Sequence, residues 1–327
     1  MDLTPASQLS RDELIRGLST VFAPIQDELI PQEIVEPTPI FIIGLPRAGT
    51  TVTYQLLANT DSAGYISNFL ARFWETPVLG AVLEKGVRIR QGNRPDSFES
   101  SLGRTPGWNE PHEFGYFWDR WFGGLAGSHN VPADKLEDLC ANDLRREITS
   151  LELFWEKPVA FANNTWCTLQ AAWLSQVFPE AVFVVCRRDP LYIAQSLYSA
   201  RIDRHGDPNE WWSVKPRNYG ELKSLPWPDQ IAGQVRGLMD DMDNQISKID
   251  DDRIISSQYA EFCRRPEGLV DRLDDLIALP GFDTQELSSD VVCKIENRNS
   301  RKIQPDAFQK LERAVSERVG IHGASTD

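Results

Sequence analysis

The chain has 327 residues, 41% of them hydrophobic and 25% charged, which is long and apolar enough for a substantial core. Its net charge of −14 opposes binding to nucleic acid or to an anionic membrane by the chain as a whole, so an anionic ligand must be met by a local cluster of Arg and Lys. Five cysteines, at 140, 167, 186, 263 and 293, form no C-x-x-C pair and no disulfide framework.

Scattered, unpaired cysteines fit a reducing compartment. With no signal-peptide apolar segment and no apolar run of membrane-spanning length, the expected location is the cytoplasm. His112, His129, His205 and His322 are too dispersed for a metal box, and no metal site is expected.

Residues 1–36 read as an N-terminal helical segment. A helix over about Arg11–Ile30 starts from a possible Ser10/Glu13 capping box, and a linker with Pro31, Glu33, Glu36 and Pro37 follows. Residues 37–327 read as one domain. Its first element is the apolar run Ile40–Ile43, a strand buried on both faces. Gly44-Leu45-Pro46-Arg47-Ala48-Gly49-Thr50-Thr51 comes next and opens an apolar-periodic helix. Strand, glycine loop and helix N-terminus suit a phosphate, because unpaired N–H groups and the positive end of the dipole converge there. Arg47 adds a cation, and Thr50 and Thr51 add hydroxyls. The glycine spacing is that of a P-loop, but Thr50 stands at the lysine place, which argues against triphosphate chemistry.

Residues 67–75 are aromatic, with Glu75 either a pocket carboxylate or a solvated one. Residues 86–107 read as a long loop, a possible lid. Glu110-Pro111-His112-Glu113 then places one histidine between two carboxylates. A histidine's unperturbed pKa lies near neutrality, which makes His112 a candidate general base, with Glu110 and Glu113 as orienting or alternative bases; the same residues also suit a helix start with Pro111 at its first position. A packing helix is expected over 134–156, a second buried strand over 158–162, and a helix over 169–178.

Ala181–Cys186 reads as a central strand ending in Arg187-Arg188, with a helix from about Pro190 that carries Ser196. Arginines at the carboxyl end of a parallel strand lie where open α/β sheets bind ligands, and Arg offers a bidentate fork to phosphate. Tryptophans at 211, 212 and 227 are either pocket walls or loop anchors. A helix over 229–249, a helix over 266–278 and a basic cluster at 298–302 complete the pattern.

The two motifs together resemble sulfotransferases that use 3′-phosphoadenosine 5′-phosphosulfate (PAPS). Gly-Leu-Pro-Arg-Ala-Gly-Thr-Thr is similar to their 5′-phosphosulfate loop, and Arg188 with Ser196 eight residues later matches their 3′-phosphate motif. The resemblance covers roughly 38–310. It implies an α/β fold with a mainly parallel sheet flanked by helices, the P-loop-like sulfotransferase fold. It implies a PAPS-dependent enzyme that releases 3′-phosphoadenosine 5′-phosphate (PAP). Arg47, Ala48, Gly49, Thr50 and Thr51 would hold the 5′ end, with Arg47 also serving catalysis. Arg188 and Ser196 would hold the 3′-phosphate, and Arg301 and Lys302 would close over the nucleotide. The acceptor would be a hydroxyl or amine of a small molecule, lipid or carbohydrate. Two departures stand out. Ala162 occupies the place of a family lysine, and Asn164 the place of a catalytic histidine, so base and cation must come from elsewhere. The rival readings are a P-loop kinase and a non-catalytic nucleotide-binding module.

Overall fold

In a computed structural model of the chain, the residues described are 11–31, 36–60, 63–91, 95, 97–123, 129–277 and 289–320. Ser10 of the expected capping box, Glu33 of the linker and His322 lie outside them. Among the described residues the sheet has five strands: β1 (Ile40–Gly44), β2 (Gly64–Tyr65), β3 (Val159–Ala162), β4 (Val182–Arg187) and β5 (Ile254–Gln258). Their order is β2-β3-β1-β4-β5 and every pairing is parallel. Apolar residues fill both faces of β1, β3 and β4, as a parallel sheet covered by helices requires. Ile40 pairs with Ala160 on one side and Val182 on the other, and Gly44 pairs with Cys186. A Cβ on Gly44 would meet the Cys186 carbonyl at 2.7 Å, so the strand can end there only with glycine. The chain leaves β1 toward β3 and β2 and later crosses to β4 and β5. The crevice outside the carboxyl end of β1 is therefore the topological switch point, where such sheets bind ligands.

The N-terminal helix α1 (Arg11–Leu29) packs on α3 (Pro77–Gln91), while α2 (Thr50–Ala58) leaves the β1 loop. Next come α4 (Gly115–Phe122), α5 (Ala133–Glu137), α6 (Ala141–Trp155), α7 (Trp166–Leu169) and α8 (Ala171–Val177). Then follow α9 (Pro190–His205), α10 (Tyr219–Leu222), α11 (Trp227–Ile246), α12 (Tyr259–Arg264), α13 (Glu267–Ile277), α14 (Ser289–Val292) and α15 (Pro305–Val319).

Three expectations are corrected. Residues 86–91 belong to α3, not to a loop: Arg88 is buried and bonds Glu84 one turn back at 2.8 Å, a pairing that offsets Gly86. The helix expected over 134–156 is two, because Cys140 leaves the helical basin at ψ 82. Pro111 does not start a helix; it bridges Ser67, and α4 starts at Gly115 behind Phe114 at φ 54.

Phe41 of β1 is the hub of the core. Its ring meets Phe161, Phe178, Phe183 and Trp118 at centroid distances of 5.9, 5.9, 5.4 and 6.1 Å. Phe41→Ala is expected to destabilise the fold by about 3–5 kcal/mol, read as a lowered urea midpoint with unchanged slope. A loss under about 1 kcal/mol would mean that the strand does not sit at the centre of the packing.

Candidate active site

A cleft of about 1010 Å³, open mouth included, lies at the carboxyl end of β1. Its floor is the loop 45–49 and the first turn of α2. Arg47 and Gly49 both have left-handed backbone, φ 74 and φ 106. That curl delivers the chain into α2 with Gly49 as its cap, and no side chain accepts from the first N–H groups of the helix. Uncapped N–H groups at a helix start attract an anion. A Cβ on Gly49 would stand 2.7 Å from Tyr259 Cδ2. Gly49→Ala is therefore expected to weaken binding of an anionic nucleotide at least about tenfold, through a strained loop. Unchanged affinity would remove the loop from the binding site.

The cations gather at one end. Arg47 Nε donates to Ser196 Oγ at 2.8 Å. Arg188 donates to the Arg47 carbonyl at 2.9 Å, to Asn299 Oδ1 at 2.7 Å and to the Arg298 carbonyl at 3.3 Å. Its guanidinium lies 4.4 Å from the centre of the Tyr259 ring. Tyr259 in turn donates to the Glu296 carbonyl and accepts from the Arg298 amide, both at 3.2 Å. Burial, then the neighbouring Arg188, lowers the pKa of Arg47; burial likewise lowers that of Arg188. Lys302 is lowered by desolvation and by Arg298, Arg188 and Arg47. A cluster that opposes its own ionisation is built to receive negative charge. The neighbouring Arg187 has turned away and pairs with Asp243 at 2.7 Å.

The opposite wall holds Glu113, Asn164 and the loop 98–103. Burial raises the Glu113 carboxyl to about 7 against the opposing pull of Arg47. Gly103 packs on it, where a Cβ would stand 2.7 Å from Glu113 Oε1. Thr50 Oγ1 donates to Asn164 Oδ1 at 2.7 Å. Gln55 of α2 donates to the Ser97 and Glu99 carbonyls at 3.2 and 3.1 Å, and buried Glu110 accepts from the Ser97 amide at 3.0 Å. Glu110 thus anchors the loop. Trp212, Ser213 and Val214 form a third wall. Gln234 donates to the Trp212 and Val214 carbonyls at 3.0 and 2.9 Å and accepts from buried Arg201 at 3.0 Å.

Of the residues singled out in the sequence, Arg47, Gly49, Thr50, Thr51, Glu113 and Arg188 line the cleft, and Ser196 stands behind Arg47. Ala48 is buried under the loop. His112 is not among the lining residues, and its Nδ1 accepts the Phe114 amide at 2.9 Å. Glu75 is not among them either; its carbonyl accepts from Gln26 and Arg120. Arg301 and Lys302 stay exposed, while Arg298 of the same segment lines the cleft. The segment is docked by Gln195, which donates to the Ser300 carbonyl at 2.9 Å and accepts from the Lys302 amide at 2.8 Å. Tyr259, Lys294 and Glu296 line the cleft unforeseen. Among the described residues no three His, Cys, Asp or Glu side chains gather as metal ligands.

No curated protein sequence matches the chain significantly. Among solved structures, the sulfotransferase STF1 from Mycobacterium tuberculosis H37Rv is similar at 17% identity and a TM-score of 0.55, over 95% of this chain and 84% of that one. The sulfotransferase STF9 from Mycobacterium avium is similar at 17% identity and a TM-score of 0.54, over 93% and 84%. At such identity the likeness speaks to the fold. The sequence profile of the sulfotransferase family matches residues 39–284, three quarters of the chain, and with that match the protein belongs to the sulfotransferase family.

Proposed function

We propose that the protein transfers a sulfuryl group from PAPS to a hydroxyl or amine of a small-molecule, lipid or carbohydrate acceptor. One arrangement carries this reading. Arg188 donates to the Arg47 carbonyl and Arg47 donates to Ser196, and the two arginines flank an uncapped helix N-terminus across from Glu113, whose carboxyl burial raises to about 7. The loop N–H groups, Arg47, Thr50 and Thr51 take the 5′-phosphosulfate, and Arg188 with Ser196 takes the 3′-phosphate. The basic segment with Arg298, Arg301 and Lys302 covers the nucleotide. As the acceptor oxygen or nitrogen bonds to sulfur, the bond from sulfur to the phosphate oxygen breaks and PAP leaves. Arg47 and the N–H groups neutralise the charge that develops on PAP. Glu113 takes the proton of the acceptor. His112 fixes the turn behind Glu113 and Glu110 fixes the loop beside it. Asn164 holds the Thr50 hydroxyl, so a histidine's place in the family has become a support for the loop. The free cysteines Cys140, Cys167, Cys186, Cys263 and Cys293 suit a cytoplasmic setting.

The test is a transfer assay with radiolabelled PAPS and a mixed set of phenols, alkanols, amines and sugars, run in excess EDTA. Labelled product that forms equally with and without EDTA is expected. Magnesium-dependent release of phosphate from ATP, with no label transfer, would instead support the kinase reading.

A further inference from the structure

Among the described residues, five besides glycine have left-handed backbone. Glu156 is the ordinary end of α6, but Arg47, Leu102 and Ser213 line the cleft and Phe114 follows Glu113. Strain of this kind persists only where the surroundings impose it, and it gathers at working sites. Arg47, Leu102 and Phe114 belong to the loops and the turn described above. Ser213 stands at φ 75, where glycine would sit without strain and serine does not. Its conformation is imposed by Gln234 of α11, which is fully buried. The one side-chain nitrogen Nε2 donates to the carbonyls on both sides of Ser213, those of Trp212 and Val214. Gln234 is held in turn by Arg201, also fully buried, which donates as well to the Pro208 carbonyl and to Gln230 Oε1, both at 2.9 Å. These partners are all neutral, and the Arg201 guanidinium lies 5.0 Å from the centre of the Trp211 ring. A buried guanidinium braced only by neutral groups is costly, and here it serves the stretch of chain that walls the cleft.

That wall lies on the side of Glu113. The arginines come from the loop after β1, the end of β4 and the segment around Arg298. Residues 212–215 instead neighbour α7. Burial and then the nearby Lys215 lower the pKa of His129, whose ring meets Trp166 of α7 edge-on at 5.3 Å. Just before α7, Asn163 donates to the Glu113 carbonyl at 3.2 Å. We propose that Ser213 is a specificity-determining contact of the sulfate acceptor, its hydroxyl meeting a second hydroxyl or N–H of an acceptor whose first such group reacts. With both flanking carbonyls committed to Gln234, the hydroxyl is what this stretch has left to offer a polar ligand between the apolar side chains of Trp212 and Val214. Gln234 is a positioning residue that acts through Ser213. On the sulfuryl-transfer reading, which this assignment assumes, the acceptors are diols, dihydroxybenzenes or amino alcohols rather than molecules with a single polar group.

The test measures transfer from radiolabelled PAPS by the full chain to matched probes: phenol against catechol, resorcinol and hydroquinone, and hexan-1-ol against hexane-1,2-diol, hexane-1,6-diol and 2-aminohexan-1-ol. The parent should favour at least one two-group probe over its one-group counterpart by about three- to tenfold in kcat/KM, the worth of one hydrogen bond. Ser213→Ala and Ser213→Gly should each lose that preference. Glycine also releases the strain, so Ser213→Gly should unfold at a temperature no lower than the parent. A serine kept for the fold alone would instead leave the preference intact in both variants. Gln234→Glu still accepts from Arg201 but cannot donate to the wall; it should lose the preference in the parent and change it no further in Ser213→Gly. Calorimetry with PAP separates failure of this assignment from failure of the reading beneath it, because PAP should bind the parent and both Ser213 variants equally. No preference in the parent, a preference that survives both Ser213 substitutions, or PAP binding without transfer to any probe overturns the role of Ser213 and leaves the nucleotide assignment standing. A parent chain that does not bind PAP overturns both.

Discussion

Glu113→Gln is expected to lower kcat by about 10²–10⁴, the usual share of a general base, with PAP affinity nearly unchanged. The reason is positional and electrostatic. Glu113 lines the cleft, and burial raises its carboxyl to about 7. A carboxylate in water would be too weak a base for an alcohol, and one that titrates near the working pH is better matched. The sign of the pH dependence follows. Below about 7 the carboxyl is protonated and cannot accept the acceptor proton; above it the carboxylate is available. Turnover should rise as pH passes through about 7, and Glu113→Gln should lose that limb. Glu110→Gln should have a much smaller effect, because the amide oxygen can still accept from Ser97. His112→Ala should also be the milder variant, since the Nδ1 contact to the Phe114 amide supports the turn rather than the cleft. If His112→Ala instead loses turnover while Glu113→Gln keeps it, the histidine is the base.

Arg188→Ala should weaken PAP binding by about 2–4 kcal/mol, which is roughly 30- to 1,000-fold. Two losses combine. The charge-assisted contact to the 3′-phosphate goes, and so does the brace that ties the Arg47 carbonyl, Asn299 and the Arg298 carbonyl together over the Tyr259 ring. Arg188→Lys should not restore binding, because a point charge cannot replace a planar fork that reaches three acceptors while stacked on a ring. Calorimetry with PAP and with adenosine 5′-phosphate separates the two losses. The deficit should be large for PAP and small for the nucleotide without the 3′-phosphate. Equal deficits for both would mean that Arg188 acts only through the loop.

Much of this site was legible because its signals are local. The Ile40–Ile43 run, two glycines, a cation and two hydroxyls all fall within a dozen residues, and each has a backbone reason to be there. Arg188 and Ser196 sit two turns apart on one strand-to-helix junction. The unforeseen parts are contacts between distant segments. Nothing in the sequence near Thr50 tells that Asn164 receives its hydroxyl, or that the ring of Tyr259 closes on Gly49. The choice among Glu110, His112 and Glu113 was open for the same reason. His112 leads the three from the ordinary pKa of a histidine, but the Ser67–Pro111 bridge and the Phe114 turn set Glu110 under the loop and Glu113 in the cleft. Residues 86–91 read as loop because Gly86 and two arginines suggest one, while the Glu84–Arg88 pair makes that stretch the end of a helix.

The proposed PAPS dependence requires a preference for the 3′-phosphorylated nucleotide. Calorimetric titration of the full chain with PAP, adenosine 5′-phosphate and ATP in EDTA tests it most directly. PAP is expected to bind at least about tenfold tighter than either of the others, a preference of 1.4 kcal/mol or more for the 3′-phosphate. Equal affinity for PAP and adenosine 5′-phosphate, or tighter binding of ATP once magnesium is added, would contradict the assignment of Arg188 and Ser196 and with it the PAPS reading.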